Sequence, residues 1–172
     1  GDQVGGVFGT LAVLSAVIER HRTGKGRFVD VSLFDGLIGM LGYQAQLAFV
    51  TGRNPEPVGS GHPNIVPYNQ FPASDGQIII ACLTEHFFDH LCAALGRPEL
   101  ADEPRFRTLE ARRANRVALE EIISSITRTA TVAEWEARLN AHDVPNAPVL
   151  GVADALAQDH ALAREMVVKT LH

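Results

Sequence analysis

The segment from residue 4 to residue 18 constrains the fold most, because it predicts a helix that is apolar around most of its circumference. Large apolar side chains recur there at steps of three and four residues: Val4, Val7, Phe8, Leu11, Leu14, Val17 and Ile18. Val13 and Ala16 extend the apolar surface to the opposite face. Such a helix is expected to be buried on most sides. A lone copy would expose surface that folded monomers hide, so we expect association with further protein.

The charge balance and the cysteines narrow the class of protein. The 172 residues carry 20 acidic and 15 basic side chains, a net charge of −5, which argues against a nucleic-acid partner. The longest nearly apolar run, Val7–Ile18, is shorter than the roughly 20 residues that cross a bilayer, so no membrane partner is expected. Cys82 and Cys92 lie in apolar surroundings without a metal-binding spacing. These features predict a soluble, cytoplasmic protein with no disulfide and no zinc site.

The remaining pattern predicts a mixture of helices and strands. Arg27–Leu33 alternates like a strand, and Ser32 then begins a second helix that runs to about Val50. Glycine and proline are too frequent between Thr51 and Tyr68 for a regular element. Beyond this segment we predict, in order, a strand over 77–83 buried on both faces, helices over 84–96, 108–128 and from Thr131, a strand over 148–152 and a helix over 153–166. A last strand over 167–171 has no partner after it, and the chain looks excerpted from something longer.

We divide the chain into four parts on this basis. Residues 1–52 form a helix-strand-helix portion of a larger domain, and 53–70 form a linker with a glycine-containing loop. Residues 71–145 form a small α+β domain, and 146–172 form a segment that returns toward the larger domain.

Asp2 is the first candidate for chemistry. It stands at the amino end of the predicted helix, where free N–H groups stabilise a carboxylate, so it could serve simply as an N-cap. Gly5, Gly6 and Gly9 follow within two turns, although each glycine in a helix costs about 1 kcal/mol relative to alanine. The surface beside Asp2 could therefore admit a ligand or a closely packed backbone.

Three other patterns are weaker. Gly59-Ser60-Gly61-His62 is a flexible loop whose N–H groups could face an anion, but glycine turns are common. His86 and His90 are one helical turn apart, yet the Glu of H-E-x-x-H is missing, and we expect no metal site. The arginines at 112, 113 and 116 are interpreted as a solvated helix face.

Taken together, the residues resemble the class III CoA-transferases, the carnitine-dehydratase/bile-acid-inducible type related to α-methylacyl-CoA racemase. The resemblance covers essentially the whole chain. It rests on an ordered series of short matches: Gly1-Asp2 with Gly5 and Gly6, Glu19-Arg20, residues 23–26 and 29–32, His62-Pro63, Pro67-Tyr68, residues 73–76 and 104–106, Asn115-Arg116, Glu134-Trp135 and Val144-Pro145.

The resemblance implies a fold, a mechanism and partners. It implies part of a doubly wound α/β large domain plus a small α+β domain, in an interlocked homodimer. Asp2 matches the family's nucleophile, and Gly59, Ser60, Gly61 and His62 match the loop that covers the active site. Acyl-CoA and a small carboxylic acid would be the partners, with coenzyme A as substrate and no further cofactor. Most CoA contacts would come from residues upstream, so these 172 residues alone are expected to be inactive.

Three functions remain open from the sequence. The first is a CoA-transferase that works through aspartyl anhydride and aspartyl-CoA thioester intermediates. The second is a 2-methylacyl-CoA racemase, in which the same Asp and an upstream His exchange a proton with the α-carbon. The third is a non-catalytic chain that acts only in folding or dimerisation. The stretch from Gly61 to Tyr68 looks more like the transferases than the racemases.

Overall fold

The computed structural model describes residues 1–168 and 170. The chain divides into two compact units, Gly1–Pro57 and Val58–His172. The first unit is helical, and the second combines a small antiparallel sheet with helices. Since each unit has its own internal packing, we describe them separately.

The first unit begins with the long helix that the apolar pattern predicts. Helix α1 spans Asp2–Thr23 and ends at Gly24, which has a φ of 70° and donates its N–H to the carbonyl of Arg20. The prediction that α1 is buried was wrong for this chain, because none of its residues is buried and Ile18 is 63% exposed. The unit supplies only two short helices beside α1, too few to cover a helix that is apolar on both faces.

By length and composition α1 could also cross a membrane, although the run Val7–Ile18 alone is too short. The next two helices, Leu33–Gly39 and Tyr43–Thr51, pass the same test when taken together, with a bend of 76° between them. Core helices of soluble proteins pass it equally, so this finding does not place α1 in a bilayer. The absence of a membrane partner stays a prediction.

The segment after α1 differs from its prediction. No strand forms over 27–33 among the described residues, because Arg27–Leu33 has no strand beside it to pair with. Ser32 does begin the next helix: its hydroxyl accepts from the N–H of Asp35 at 3.2 Å. The single helix predicted to Val50 is instead two helices, α2 over Leu33–Gly39 and α3 over Tyr43–Thr51. Gly42, with a φ of 55°, lies at the break.

The second unit is built on a three-stranded antiparallel sheet of order β1-β2-β3. Strand β2, Gln77–Ala81, lies in the centre and confirms the predicted position, but its residues alternate between the core and a partly exposed face. Strand β1, Tyr68–Pro72, was missed, and it pairs with β2 so that Phe71 faces Ile78. Strand β3 is Asn146–Pro148, slightly before the predicted 148–152. The first residues after 145 therefore belong to this sheet.

Helices cover the sheet and follow it. They are α4 (Glu85–Ala94), a 3₁₀ turn (Pro98–Ala101), α5 (Leu109–Ala114), α6 (Arg116–Thr127), α7 (Val132–Ala141), α8 (Val152–Leu156) and α9 (Asp159–Ala163). Helix α7 begins after Thr131, as predicted, with a capping box formed by Thr131 and Glu134. The helix predicted over 108–128 is interrupted at Asn115, and the one over 153–166 is two short helices. Val167, Val168 and Thr170 are not in a strand, and Lys169 and Leu171 lie outside the described residues.

One core holds this unit together. It is formed by buried apolar side chains of the sheet and of α4, α6 and α7, among them Phe71, Ile78, Ile80, Phe88, Leu91, Leu119, Ile123, Trp135 and Leu139. Cys82 and Cys92 are buried in it as free thiols, as predicted. Burial raises the pKa of each thiol to about 12, so both are protonated near neutral pH. They are core residues rather than nucleophiles.

Candidate functional site

Asp2 lies in the first turn of α1 with its side chain exposed. The N-cap is Gly1, whose carbonyl accepts the N–H of Gly5 at 2.8 Å, and no side-chain cap bond forms. The simple interpretation of Asp2 as an N-cap is therefore wrong, because the helix begins one residue earlier than that role requires. The carboxylate still stands at the positive end of a 22-residue helix. Its oxygens are not engaged by the first backbone N–H groups as cap acceptors.

The glycines beside Asp2 have two different reasons. A Cβ on Gly5 would lie 2.0 Å from the Cδ2 of Leu33, so Gly5 serves the close packing of α1 against α2. Gly6 and Gly9 have no described atom within 4 Å of such a Cβ. Residues 2, 6 and 9 share one face of a helix because they follow at i, i+4 and i+7. The carboxylate thus continues into a strip without side chains.

A shallow open depression lies on α1 and includes Gly6 of this strip. Its lining comes from Gln3, Gly6, Val7, Thr10 and Leu11. A flat, apolar ligand or a neighbouring backbone could lie against it, since nothing projects from Gly6.

Gly5 and Gly6 allow a test of the two roles, close packing at Gly5 and open space at Gly6. Gly6→Ala should stabilise α1 by about 0.5–1 kcal/mol, because alanine is the better helix former and the added methyl meets open space. Gly5→Ala should forfeit that gain, because Leu33 must rotate out of its contact. Hydrogen exchange at the α1 amide groups measures the local difference. Equal protection in the two variants would show that Gly5 is not a packing residue.

The predicted loop has an exposed tip and a fixed base. Gly59 has a φ of 62°, which favours glycine, and Ser60 is exposed. Gly61 is tightly placed: a Cβ there would lie 3.2 Å from Nη1 of Arg116 and 3.2 Å from the carbonyl oxygen of Val58. Only the first two residues are therefore free to meet a substrate without disturbing the base.

His62 is part of that base. Its Nδ1 accepts from the N–H groups of Asn64 and Ile65 at 3.1 and 3.0 Å. Its ring stacks on Tyr68 at 5.5 Å between centroids, and the backbone N–H of His62 donates to the backbone carbonyl of Tyr68 at 2.8 Å. These contacts turn the chain into β1. They make His62 a residue that shapes the loop, whatever its part in catalysis.

Two arginines hold the loop against α5 and α6, a role that the sequence did not reveal. Arg116 donates from Nη2 to the carbonyls of His62 and Pro63 at 2.8 and 3.0 Å. Arg112 is fully buried and donates to the carbonyls of Val66 and Phe106. The solvated face predicted for these arginines was wrong for Arg112, and Arg116 is half-buried. Their charges are satisfied by backbone carbonyls and by Glu85 and Glu120.

The predicted site residues thus fall into two groups. Asp2 and its glycine strip belong to the first unit, and residues 59–62 belong to the second. The geometry offers an exposed carboxylate at a helix start and a loop with an anchored base.

A family model described as CoA-transferase family III matches residues 1–172. The chain belongs to CoA-transferase family III. The family resemblance seen in the sequence is thereby confirmed over the whole chain.

Relatives in CoA-transferase family III include named enzymes. The chain is 37% identical over 169 residues to an acetyl-CoA:oxalate CoA-transferase of Acetobacter aceti, a match that covers 98% of this chain and 43% of the relative. It is 34% identical to a succinyl-CoA:mesaconate CoA-transferase of Haloarcula marismortui, covering 98% and 42%. The chain therefore spans about two fifths of the length of these relatives.

The comparison with solved structures agrees with the family match. A CAIB/BAIF family protein from Brucella suis superposes with a TM-score of 0.83 at 40% identity, covering 94% of this chain and 43% of that one. A hypothetical protein from Mycobacterium tuberculosis, at 21% identity and a TM-score of 0.79, shares the fold. The predicted fold class, a partial class III CoA-transferase fold, is confirmed.

Proposed function

We propose that a family-length protein containing this chain transfers CoA from an acyl-CoA to a free carboxylic acid, with Asp2 as the nucleophile. One observation carries the assignment to Asp2: an exposed carboxylate lies at the amino end of a long helix, beside a strip that Gly6 and Gly9 leave without side chains. The amino end of the helix places the positive end of its dipole beside this carboxylate. The strip gives a thioester room to approach it.

The transfer proceeds in four balanced steps. A carboxylate oxygen of Asp2 attacks the thioester carbonyl, the C–S bond breaks, and CoA leaves as thiolate with a mixed anhydride formed. The thiolate attacks the aspartyl carbonyl, which releases the donor acid and leaves an aspartyl-CoA thioester. The acceptor carboxylate attacks this thioester, giving a second anhydride and thiolate. The thiolate then attacks the acceptor's carbonyl, which yields acceptor-CoA and restores Asp2.

We propose a small dicarboxylic acid as the acceptor class. The relatives named above act on oxalate and mesaconate by their names, and a mouse relative at 28% identity is a succinyl-CoA:glutarate CoA-transferase. All three acids have two carboxyl groups.

We further propose that protein covers the apolar faces of α1 in the complete molecule, through upstream residues and an interlocked second copy. The observation behind this is the exposure of α1, on which no residue is buried. A cytoplasmic location stays a prediction.

The activity is tested by incubating the family-length protein with an acyl-CoA and a panel of free mono- and dicarboxylic acids. We expect CoA exchange with dicarboxylic acids and retention of the acyl configuration. Racemisation of a 2-methylacyl-CoA without CoA exchange would instead assign the racemase function. Neither reaction, in a protein that folds, would favour the non-catalytic role.

The loop tip is tested at Ser60 rather than at Gly61, because a side chain on Gly61 meets Arg116 and would disturb the base. If residues 59 and 60 cover a reactive anhydride, Ser60→Trp should lower CoA transfer by about tenfold or more. Hydrolysis of acyl-CoA should rise as water gains access. Glu56→Trp, at another exposed position of the same irregular segment, is the matched control. Unchanged transfer and hydrolysis in Ser60→Trp would make this loop a simple connection.

A further inference from the structure

Three metal-binding side chains meet on the second unit, away from the residues discussed above. His86 and His90 lie on α4, and Asp143 lies in the turn between α7 and β3. Each offers a ligand atom, and these atoms all lie within 4.8 Å of one another. The two imidazole rings are 3.9 Å apart between centroids. Sequence spacing revealed only the histidine pair, because Asp143 is more than fifty positions away.

The histidines are held in place by the helix that carries them. The hydroxyl of Thr84 caps α4, and Phe88, Leu91 and Cys92 bury one face of it in the core. This fixes the rotation of α4 about its axis. Residues four apart share a face, so His86 and His90 project together toward the end of α7.

The backbone of Asp143 is held in place by the turn that follows α7. It has a φ of 54°, a left-handed conformation that glycine adopts most easily and that aspartate tolerates better than most other residues. The turn is closed by the N–H of Val144, which donates to the carbonyl of Leu139 at 2.9 Å, and Val144 is buried. The chain thus places a carboxylate, at a cost, where glycine would be the easier residue.

A buried ring nitrogen of His90 gives independent support for a bound ligand at this cluster. The Nδ1 of His90 is shielded from solvent and has no hydrogen-bond partner among the described residues. Buried polar atoms in proteins are almost always paired, and an orphaned one calls for a partner. A metal ion bound through Nδ1 would supply it.

We propose that His86, His90 and Asp143 bind a divalent transition-metal ion, with Zn²⁺ as the best match. Two imidazoles and one carboxylate suit Zn²⁺, whereas Mg²⁺ and Ca²⁺ prefer sites made only of oxygen. A tetrahedral Zn²⁺ with bonds of about 2.0–2.1 Å holds its ligand atoms about 3.4 Å apart. The exposed side chains of His86 and Asp143 can close that distance by small rotations. The bound ion links α4 to the end of α7 and leaves one position open.

The test uses the protein without a histidine tag, titrated with Co²⁺ and Zn²⁺. We expect one ion per chain, and Co²⁺ should give the visible absorption bands of a four-coordinate site. His86→Ala and Asp143→Gly should each weaken Zn²⁺ binding by about 100-fold or more, since each removes a ligand. Asp143→Gly is the sharper variant, because glycine suits the φ of 54° and the turn should form at least as well.

His160→Ala, which removes an exposed histidine outside the cluster, should leave the affinity unchanged. Zn²⁺ should also raise the melting temperature of the unmodified protein and not that of Asp143→Gly. Two results would overturn the proposal: no Zn²⁺ binding at micromolar concentration, or equal binding in the unmodified protein and Asp143→Gly. The second result would mean that the histidine pair alone attracts the ion.

Discussion

Replacing Asp2 by Asn in the family-length protein should lower CoA transfer by at least about 10³-fold, because the neutral amide cannot attack the thioester. The helix should remain, since the N-cap is Gly1 and the side chain of Asp2 forms no cap bond. Steady-state transfer between an acyl-CoA and a dicarboxylic acid measures the effect. Circular dichroism and melting temperature establish that the variant folds.

Glu56→Gln provides the matched control, because it also replaces a carboxylate by its amide. Glu56 is exposed and lies outside α1 and its depression. This variant should change transfer by less than about threefold. Transfer by Asp2→Asn at a rate close to that of the unmodified protein would show that Asp2 contributes charge at a helix end and nothing more.

Replacing Arg112 by Met should destabilise the second unit by about 2–4 kcal/mol, a large fraction of what a small domain has. The guanidinium donates from Nε to Val66 at 2.7 Å and from Nη1 to Glu85 and Phe106 at 2.7 and 2.9 Å. It also lies 4.3 Å above the ring of Phe88. Methionine fills the space but leaves two inward carbonyls without their donor. Urea unfolding, followed through the buried Trp135, measures the loss.

Arg113→Met is the control, because Arg113 is exposed and, within the part of the chain that the structure describes, makes one long hydrogen bond, to Asn64 at 3.4 Å. It should change stability by less than about 0.5 kcal/mol. Arg112→Lys should fall between the two, since an ammonium cannot reproduce the planar set of donors. Equal stability of Arg112→Met and Arg113→Met would mean that Arg112 contributes no more than an arginine on the solvated helix face that the sequence suggested.

Helix α1 shows which features could be predicted from the sequence and which could not. The existence of α1 followed from the periodicity of its apolar residues, because local patterns decide helices of that length. Its burial could not follow, since burial depends on what lies against the helix. The strand predicted over 27–33 failed for the same reason: alternation at Arg27–Leu33 describes a strand only where another strand is available to pair with it.

In the candidate site, too, local patterns could be predicted from the sequence, whereas roles that depend on distant contacts could not. Asp2 and the glycine strip were recognisable, because a carboxylate and small residues in one turn are a local pattern. The separate role of Gly5 required the position of Leu33. Arg112 was misjudged because a run of arginines on a helix is usually exposed, and only its distant acceptors, Val66 and Phe106, explain its burial.

The covalent role of Asp2 can be measured directly with an ¹⁸O-labelled acceptor acid. When the acceptor carboxylate attacks the aspartyl-CoA thioester, one of its oxygens bridges the anhydride. Attack of CoA thiolate on the acceptor carbonyl then leaves that oxygen on Asp2. A single turnover of the family-length protein with acyl-CoA and labelled acid should therefore add about 2 Da to the peptide that contains Asp2, located to that residue by fragmentation. Repeated turnover should add up to about 4 Da, because either carboxylate oxygen can attack. Efficient CoA transfer with no label on Asp2 would contradict the account.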